Sequence, residues 1–162
     1  MVTHPFAPVV DENCRTLILG SFPSVKSREN GFYYGHPQNR FWKVISAVLQ
    51  EETPTTIEEK RKMLLAHHVA LWDTIYSCDI IGSSDSSIKN VVPTDLRTVV
   101  EQSKIQHIYC NGRTSGKYFE KYQQKTLGMT AEVLPSTSPA NAAFGLEKLT
   151  AIWSEALKDS LG

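Results

Sequence analysis

A short segment from Gly31 to Trp42 concentrates groups that can hold a flat ring and a small polar reactant. It reads Gly-Phe-Tyr-Tyr-Gly-His-Pro-Gln-Asn-Arg-Phe-Trp, with a histidine, an amide and a guanidinium among aromatic rings. Apolar spacing from Phe41 onward predicts a helix over residues 40–50, so Asn39 falls in its first turn. One interpretation is that Asn39 caps this helix through its side-chain oxygen. The other is that a planar ring enters between the aromatic side chains while Asn39 orients a small reactant beside it.

The rest of the chain predicts a frame for this segment. Short apolar runs typical of buried strands occupy residues 16–20, 69–73, 106–112 and 131–134. Helical patterns lie between and after them, at residues 40–50, from the capping box Thr56–Glu59, from Thr94 as a cap, around Tyr118, Phe119 and Tyr122, and at residues 146–157. This alternation predicts an α/β fold, a three-layer αβα sandwich around a four-stranded parallel sheet with right-handed crossovers.

Two segments are predicted to lack regular pairing. Residues 1–15 form an irregular lead-in, because Pro5 and Pro8 interrupt any strand there. Residues 74–93 are polar and rich in serine, and a loop of that length in a compact domain is usually functional or mobile. With 162 residues, 41% of them apolar, we expect residues 1–162 to form one domain with a proper core.

Charge and cysteine content restrict the class of protein. The 17 basic side chains equal the 17 acidic ones, so there is no overall basic field to drive nonspecific nucleic-acid binding. No apolar run approaches the roughly 20 residues of a membrane span, and no signal peptide is evident, so we expect a cytoplasmic protein without a membrane partner. Cys14, Cys78 and Cys110 are widely spaced, which argues against a disulfide frame or a structural metal site and predicts buried or inert thiols.

Three segments are expected to meet at the carboxyl edge of the sheet, where ligands bind in open α/β folds. They are Gly20–Ser24 with the aromatic segment behind it, Trp72–Asp73, and Ser136–Asn141. A Gly-x-x-Pro-Ser turn, an Asn-Arg-Phe-Trp segment and a late Ser-x-Ser-Pro-Ala-Asn loop in this order resemble the uracil-DNA glycosylase superfamily. Gly20-Ser21-Phe22-Pro23-Ser24 and the run from Gly35 to Trp42 are most similar to its hypoxanthine-DNA (deoxyinosine) glycosylase branch. The resemblance spans nearly the whole chain.

The resemblance implies a monofunctional base-excision enzyme that flips a deaminated nucleotide out of DNA and hydrolyses its N-glycosidic bond, without metal or cofactor. It implies a monomer acting on double-stranded or single-stranded DNA, associated with the nucleoid in the cytoplasm. The catalytic residue would be Asn39. The base-binding residues would be Gly20, Ser21, Phe22, Pro23, Tyr33, Tyr34, His36 and Asp73. The DNA-binding residues would be Ser24, Ser136, Ser138, Pro139, Ala140 and Asn141.

The chain departs from many uracil-removing relatives, which carry an aspartate or asparagine in the first turn and in some cases a histidine in the late loop. Gly20–Ser24 holds no carboxylate or amide and Ser136–Asn141 holds no histidine. The catalytic amide is therefore assigned to Asn39, which would position water and not act as a base. Asp73 would accept from N1–H of hypoxanthine, while backbone N–H groups of the first turn donate to O6.

Each of these side chains also has an ordinary structural role. Phe22 and the tyrosines can roof the core, Asp73 can cap the turn after its strand, and His36 can be hydrogen-bonded structure. The late loop can be a rigid proline turn instead of a wedge that enters the minor groove. Three other functions stay open: the same fold acting on uracil or xanthine, a noncatalytic nucleic-acid binding module, and a hydrolase of free nucleosides.

Overall fold

The computed structural model describes residues 1–161. Its strands are β1 (Val2–Thr3), β2 (Thr16–Gly20), β3 (Val69–Asp73), β4 (Ile75–Asp79), β5 (Lys89–Pro93), β6 (His107–Asn111) and β7 (Glu132–Leu134). Its helices are α1 (Val25–Asn30), α2 (Phe41–Val48), α3 (Ile57–Ala66), α4 (Arg97–Glu101), α5 (Arg113–Tyr122), α6 (Gln124–Leu127) and α7 (Leu146–Leu161), with a 3-10 turn at Asp85–Ser87. None of these helices is both long enough and apolar enough to cross a lipid bilayer.

The main sheet is parallel and has the strand order β3-β2-β6-β7. Strands β2 and β3 are buried along their whole length, as expected for apolar strands covered on both faces. The register aligns Gly20 at the end of β2 with Asp73 at the end of β3. The predicted four-stranded parallel sheet flanked by helices is confirmed, and so are the bounds of β2 and β3.

Helices cover both faces of the sheet because the chain connects strands that lie on both sides of β2. The connection from β2 to β3 runs to one side and those from β3 to β6 and β7 run to the other, so right-handed crossovers put their helices on opposite faces. Helix α2 packs against α7, with the rings of Phe41 and Trp153 6.1 Å apart and perpendicular. The first half of the predicted capping box is confirmed, since Thr56 Oγ1 accepts from the Glu59 N–H at 3.1 Å, while the Glu59 carboxylate bonds the Thr56 hydroxyl.

The prediction of a structureless segment over residues 74–93 is wrong. Strands β4 and β5 pair antiparallel within it and form a second sheet of order β1-β4-β5. The pairing is irregular, with register shifts along β4, and Tyr76 is exposed in the middle of that strand. These strands lack a clean apolar alternation, which explains why the sequence pattern does not reveal them.

The prediction that residues 1–15 lack regular pairing is also wrong in part. Val2 and Thr3 pair with β4, and Val9 forms a bridge with Leu71 of β3. Pro5 and Pro8 lie between these two contacts, so the prolines separate the paired residues without preventing pairing. The lead-in therefore bonds to strands from both sheets.

The predicted Thr94 cap is not formed. Helix α4 begins at Arg97 with Leu96 as its cap residue, and the Thr94 hydroxyl donates to the Asp73 carbonyl at 2.8 Å. A threonine hydroxyl that fits a helix cap also satisfies a buried carbonyl, and here the tertiary contact prevails. Thr94 thereby ties the end of β5 to the end of β3.

The three cysteines are free and buried, as predicted. Burial raises the pKa of the Cys14 and Cys110 thiols to about 11, and it raises the pKa of Cys78 as well. Because the thiolate is the reactive form, we expect no modification by a maleimide at pH 8 in the folded protein and three modifications in denaturant, measured by mass spectrometry. Rapid labelling of any cysteine in the native protein would contradict this burial.

Candidate active site

A cavity of about 560 Å³ opens at the carboxyl edge of the parallel sheet, within the range of roughly 300–1,000 Å³ seen for small-molecule pockets. Its walls come from the turn after β2, the segment before α2, the end of β3, the loop between β4 and β5, the start of α5 and the loop after β7. It brings together these sequence-predicted residues: Gly20, Ser21, Phe22, Pro23, Ser24, Tyr33, Tyr34, His36, Asn39, Asp73, Ser136, Ser138, Pro139 and Ala140. Asn141 lines an adjoining groove.

Gly20 provides the space at one end of this cavity. A Cβ placed there would lie 2.4 Å from Asp73 Oδ1 and 2.8 Å from Tyr34 Oη, both far inside van der Waals contact. Asp73 Oδ1 and Tyr34 Oη therefore flank the same small volume above the Gly20 backbone. A glycine at this point is required because any side chain would fill it. We call Gly20, Tyr34 and Asp73 the pocket floor.

The pocket floor carries two polar groups with unused hydrogen-bonding capacity. Asp73 is almost fully buried, with a side chain 5% exposed, and within residues 1–161 its carboxylate accepts only from His4 Nε2, at 2.6 Å from Oδ2. The Tyr34 hydroxyl is buried and has no partner among the described residues. Burial and the nearby Asp73 charge raise the pKa of Tyr34, so this phenol keeps its proton. A buried polar atom without a protein partner is uncommon, and at the wall of a cavity it is placed to bond a ligand or a water.

His4 holds the Asp73 carboxylate from behind. Its side chain is 1% exposed and is surrounded by the rings of Phe6, Phe22, Tyr33 and Trp72. His4 Nδ1 accepts from the Phe6 N–H at 3.1 Å, so the ring proton is on Nε2 and is donated to Asp73. Pairing of β1 with β4 positions this histidine, whose backbone N–H donates to the Tyr76 carbonyl.

The aromatic residues divide into different roles. Tyr33 is 2% exposed and its hydroxyl donates to the Ala7 carbonyl at 2.8 Å, so its ring belongs mainly to the core. Tyr34 stacks on Phe41 with ring centroids 4.1 Å apart. The backbone of Tyr34 has φ +52, a strained value for a non-glycine residue. Strain of this kind clusters at functional sites and persists only where neighbouring contacts hold it.

Phe22 is half-buried beside the cavity. The ring of His4 meets it at right angles with centroids 6.0 Å apart, and the Arg28 guanidinium lies 5.7 Å from its ring centre. Arg28 covers one face, so a second planar group can stack only on the other. Phe22 has the position and the free surface for a stacking platform.

The Asn39 carboxamide is oriented by a chain of hydrogen bonds. Its oxygen accepts from the Phe41 N–H at 2.9 Å and from the Thr137 hydroxyl at 2.8 Å. That hydroxyl accepts in turn from Asn111 Nδ2 at 3.0 Å, while Asn111 Oδ1 accepts from the Thr137 N–H. Because the Phe41 N–H can only donate, the Asn39 oxygen is fixed toward the helix and both its lone pairs are used. The side of Asn39 left for the cavity is the amide N–H donor.

The cap interpretation of Asn39 is wrong in its strict form, because Arg40 is the cap residue of α2 and makes no side-chain cap bond. Asn39 lies one position earlier, where its oxygen accepts from the first helical N–H, and it also lines the cavity. This bond fixes which end of the amide faces the cavity, while the role of Asn39 toward a reactant stays a prediction. A ligand group that binds the Asn39 side chain from the cavity must accept a hydrogen bond from its amide N–H.

The late loop presents two serine hydroxyls and an exposed tip. Ser136 Oγ accepts from the Ser138 N–H and Ser138 Oγ accepts from the Ala140 N–H, each at 3.1 Å. Both hydroxyl protons remain available for an outside acceptor such as a phosphate. Pro139 and Ala140 are exposed at the tip. Asn141 is used within the loop, since Nδ2 donates to the Ser136 carbonyl at 3.0 Å.

Arg40 fixes this loop to the start of α2. Its guanidinium donates to the carbonyls of Thr137, Ser138, Asn141 and Phe144. Charge-assisted hydrogen bonds of this kind are about twice as strong as neutral ones. Asn39 and Arg40 thus both bind the late loop, although the chain separation is about a hundred residues.

His36 and Ser24 have well-defined local bonds. His36 Nδ1 accepts from the Gln38 N–H at 3.0 Å, which leaves its Nε2 as a donor at the cavity wall. Ser24 caps α1 by accepting from the Ser27 N–H at 3.1 Å. Ser24 therefore has a structural role in the free protein in addition to its place at the cavity.

Sequence reasoning missed several residues of this site, among them His4, Arg40, Asn111, Arg113 and Thr137. Three of them carried a usable signal, because Asn111 ends a predicted strand, Thr137 lies within the late loop and Arg40 follows Asn39. Arg113 begins α5 at the cavity wall and is exposed. The residues next to His4 in the sequence do not indicate that it belongs to the site. Within the part of the chain that the structure describes, no three His, Cys, Asp or Glu side chains are grouped to hold a metal ion.

Comparison with known proteins assigns this chain to a family. The sequence profile of the uracil DNA glycosylase superfamily matches residues 7–159. A curated hypoxanthine DNA glycosylase of Methanosarcina acetivorans is 36% identical over 146 residues, covering 89% of this chain and 91% of that protein. A second hypoxanthine DNA glycosylase, from Methanosarcina barkeri, is 30% identical over 160 residues, covering 98% of this chain and 99% of that protein.

A solved structure shares the fold. It is the solution NMR structure of a protein from Methanosarcina acetivorans that bears the provisional name uracil DNA glycosylase. It superposes with a TM-score of 0.79 at 33% identity and covers 96% of this chain and 98% of its own. The family profile and the relatives, which match most of the chain, define the class. This chain belongs to the uracil DNA glycosylase superfamily, as the sequence motifs predict.

The hydrogen-bond chain through Thr137 has a measurable effect on stability. Thr137→Val keeps the shape but leaves Asn111 Nδ2 and Asn39 Oδ1 without their shared partner, at a site that is fully buried. We expect the free energy of unfolding in urea to fall by about 1 to 3 kcal/mol. Thr130→Val, at an exposed position, is the control and should change it by less than about 0.5 kcal/mol. Equal stability of the two variants would show that the bonds are not formed.

Proposed function

We propose that this chain is a DNA glycosylase that releases hypoxanthine from deoxyinosine in DNA. The pocket floor is the observation that carries this proposal. A purine with an N1–H donor and an O6 acceptor matches Asp73 Oδ1, which lacks a donor, and the Tyr34 hydroxyl, which lacks an acceptor. The curated relatives support the same substrate, since both are hypoxanthine DNA glycosylases.

Binding in this cavity requires the nucleotide to leave the base stack, which costs a few kcal/mol. Phe22 offsets part of that cost, because stacking of one base on an aromatic ring is worth about 1 to 3 kcal/mol. Contacts on the pocket floor offset more of it. Within residues 1–161, Tyr33 has too little exposed surface to add a stacking face.

The late loop holds the DNA around the flipped nucleotide. Pro139 and Ala140 enter the minor groove and fill the space that the base leaves. The hydroxyls of Ser136 and Ser138 donate to phosphate oxygens, and Arg113 supplies a positive charge at the same wall. These local contacts replace the basic field that the balanced composition lacks.

Hydrolysis follows from positioning and not from a strong base. Asn39 donates an N–H to the water oxygen and holds it beside the sugar, leaving a second lone pair to attack C1′. The bond between C1′ and N9 breaks with its electron pair going to the base. The hydroxyl joins C1′ and the released proton ends on hypoxanthine through solvent. A neutral amide contributes by placing the water, so the rate depends on how readily the base leaves.

The same cavity supports a reaction without a covalent intermediate. No lysine lines the cavity among the described residues, so no amine is available to form an imine with the sugar. The products are an abasic site and the free base. The chain would not cleave the DNA strand.

Asn39→Ala tests the catalytic proposal. We expect the single-turnover rate on a duplex with one deoxyinosine to fall by about 100-fold to 1,000-fold, because a preorganised hydrogen bond to the reacting group is lost. Affinity for the same duplex should stay within about threefold, since the amide is one contact among many. Released hypoxanthine is measured by chromatography and affinity by fluorescence anisotropy.

Asn13→Ala, at an exposed position outside the cavity, is the matched control and should behave like the native chain. An unchanged rate in Asn39→Ala would remove the assigned role of the amide. Hypoxanthine release by none of the proteins would exclude the enzyme and favour a binding module. Equal release from free deoxyinosine nucleoside would point to a nucleoside hydrolase.

A further inference from the structure

His4 and Asp73 form a buried pair in which each side-chain nitrogen and oxygen atom except Asp73 Oδ1 has a hydrogen-bond partner. Asp73 Oδ2 accepts from His4 Nε2, and His4 Nδ1 accepts from the Phe6 N–H. No lysine or arginine forms a salt bridge with Asp73 within residues 1–161. Oδ1 at the pocket floor is the remaining acceptor. A buried carboxylate with one protein donor is costly unless a ligand supplies another.

His4 can donate only in one direction. Its Nδ1 is occupied by a backbone N–H, so the imidazole cannot exchange its two nitrogens between donor and acceptor roles without losing that bond. The surrounding aromatic rings block rotation of the imidazole. The histidine therefore always presents a donor to position 73 and requires an acceptor there.

We propose that His4 is a positioning residue that fixes which group of residue 73 faces the base, and so makes the pocket select hypoxanthine over adenine. The proposal rests on the proposed function. With its N–H bound to Oδ2, His4 aims Oδ1 at the base edge. Tyr34 Oη lies beside Oδ1 on the other side of the Gly20 space and donates to O6.

Adenine presents the opposite edge, with an unprotonated N1 and a 6-amino group. Its N1 lone pair would face the Asp73 carboxylate without a proton between them. A site built to bond one polar edge rejects the reversed edge strongly, by factors up to about 10,000 to 100,000. Selection therefore depends on the direction of the bond between His4 and Asp73 and not only on the presence of a polar group.

Asp73→Asn and the double variant His4→Phe, Asp73→Asn test this direction. In Asp73→Asn the His4 N–H keeps the amide oxygen, so the amide NH₂ faces the hypoxanthine N1–H. We expect deoxyinosine cleavage to fall at least about 100-fold. In the double variant no histidine fixes the amide, which can turn its oxygen to the base. Cleavage should rise at least about tenfold above Asp73→Asn.

This recovery separates positioning from a merely structural role. If His4 only filled space, its loss would leave activity equal to that of Asp73→Asn or lower. Phenylalanine suits an aromatic surrounding, and the neutral asparagine avoids a buried charge without a donor, so the double variant is expected to fold. His107→Phe, at an exposed position on β6, is the control and should leave the activity of Asp73→Asn unchanged. Circular dichroism melting checks that each variant is folded.

The outcomes distinguish this inference from the proposed function. A native chain that releases no hypoxanthine overturns the proposed function. A native chain that is active, with full activity in Asp73→Asn or no recovery in the double variant, overturns the positioning role of His4. A measurement on the native chain needs no variant: histidine nitrogen NMR should find the His4 proton on Nε2, with Nδ1 unprotonated, and a proton on Nδ1 would also overturn it.

Discussion

The hydrogen bond between His4 and Asp73 determines how the pocket floor is built. It joins the smaller antiparallel sheet to the end of the parallel sheet, and the participating side chains are almost fully buried. Gly20 leaves open the space into which the free carboxylate oxygen points. The arrangement keeps a charged acceptor inside the protein at a cost in stability, which is typical of functional sites and not of packing.

A second set of bonds connects the start of α2 to the loop after β7. Asn39 and Arg40 are neighbours in sequence, and they bind Thr137 and the loop carbonyls on the far side of the cavity. Movement of the late loop would therefore change the orientation of the Asn39 amide. In the proposed function, these contacts couple insertion of the loop tip into DNA to alignment of the reactive water, because one group of bonded side chains carries both.

The local sequence pattern was sufficient to predict the parallel sheet, but it was insufficient to predict that His4 belongs to the site. β2 and β3 are apolar along their whole length, and Asn39-Arg40-Phe41-Trp42 opens a helix with a regular buried face, so each could be read from neighbouring residues. The bond from His4 to Asp73 spans 69 positions and depends on the short pairing of β1 with β4. Position 4 lies between a two-residue strand and a proline, where local periodicity carries little information.

The most direct measurement of the central claim is a crystal structure of the native chain with a duplex containing 2′-fluoro-deoxyinosine, whose glycosidic bond resists cleavage. The account predicts a flipped base with N1 within hydrogen-bond distance of Asp73 Oδ1, O6 within that distance of Tyr34 Oη, and His4 still bonded to Oδ2. A base bound in the cavity with its N1–H directed away from Asp73, or bonded to solvent alone, would contradict it.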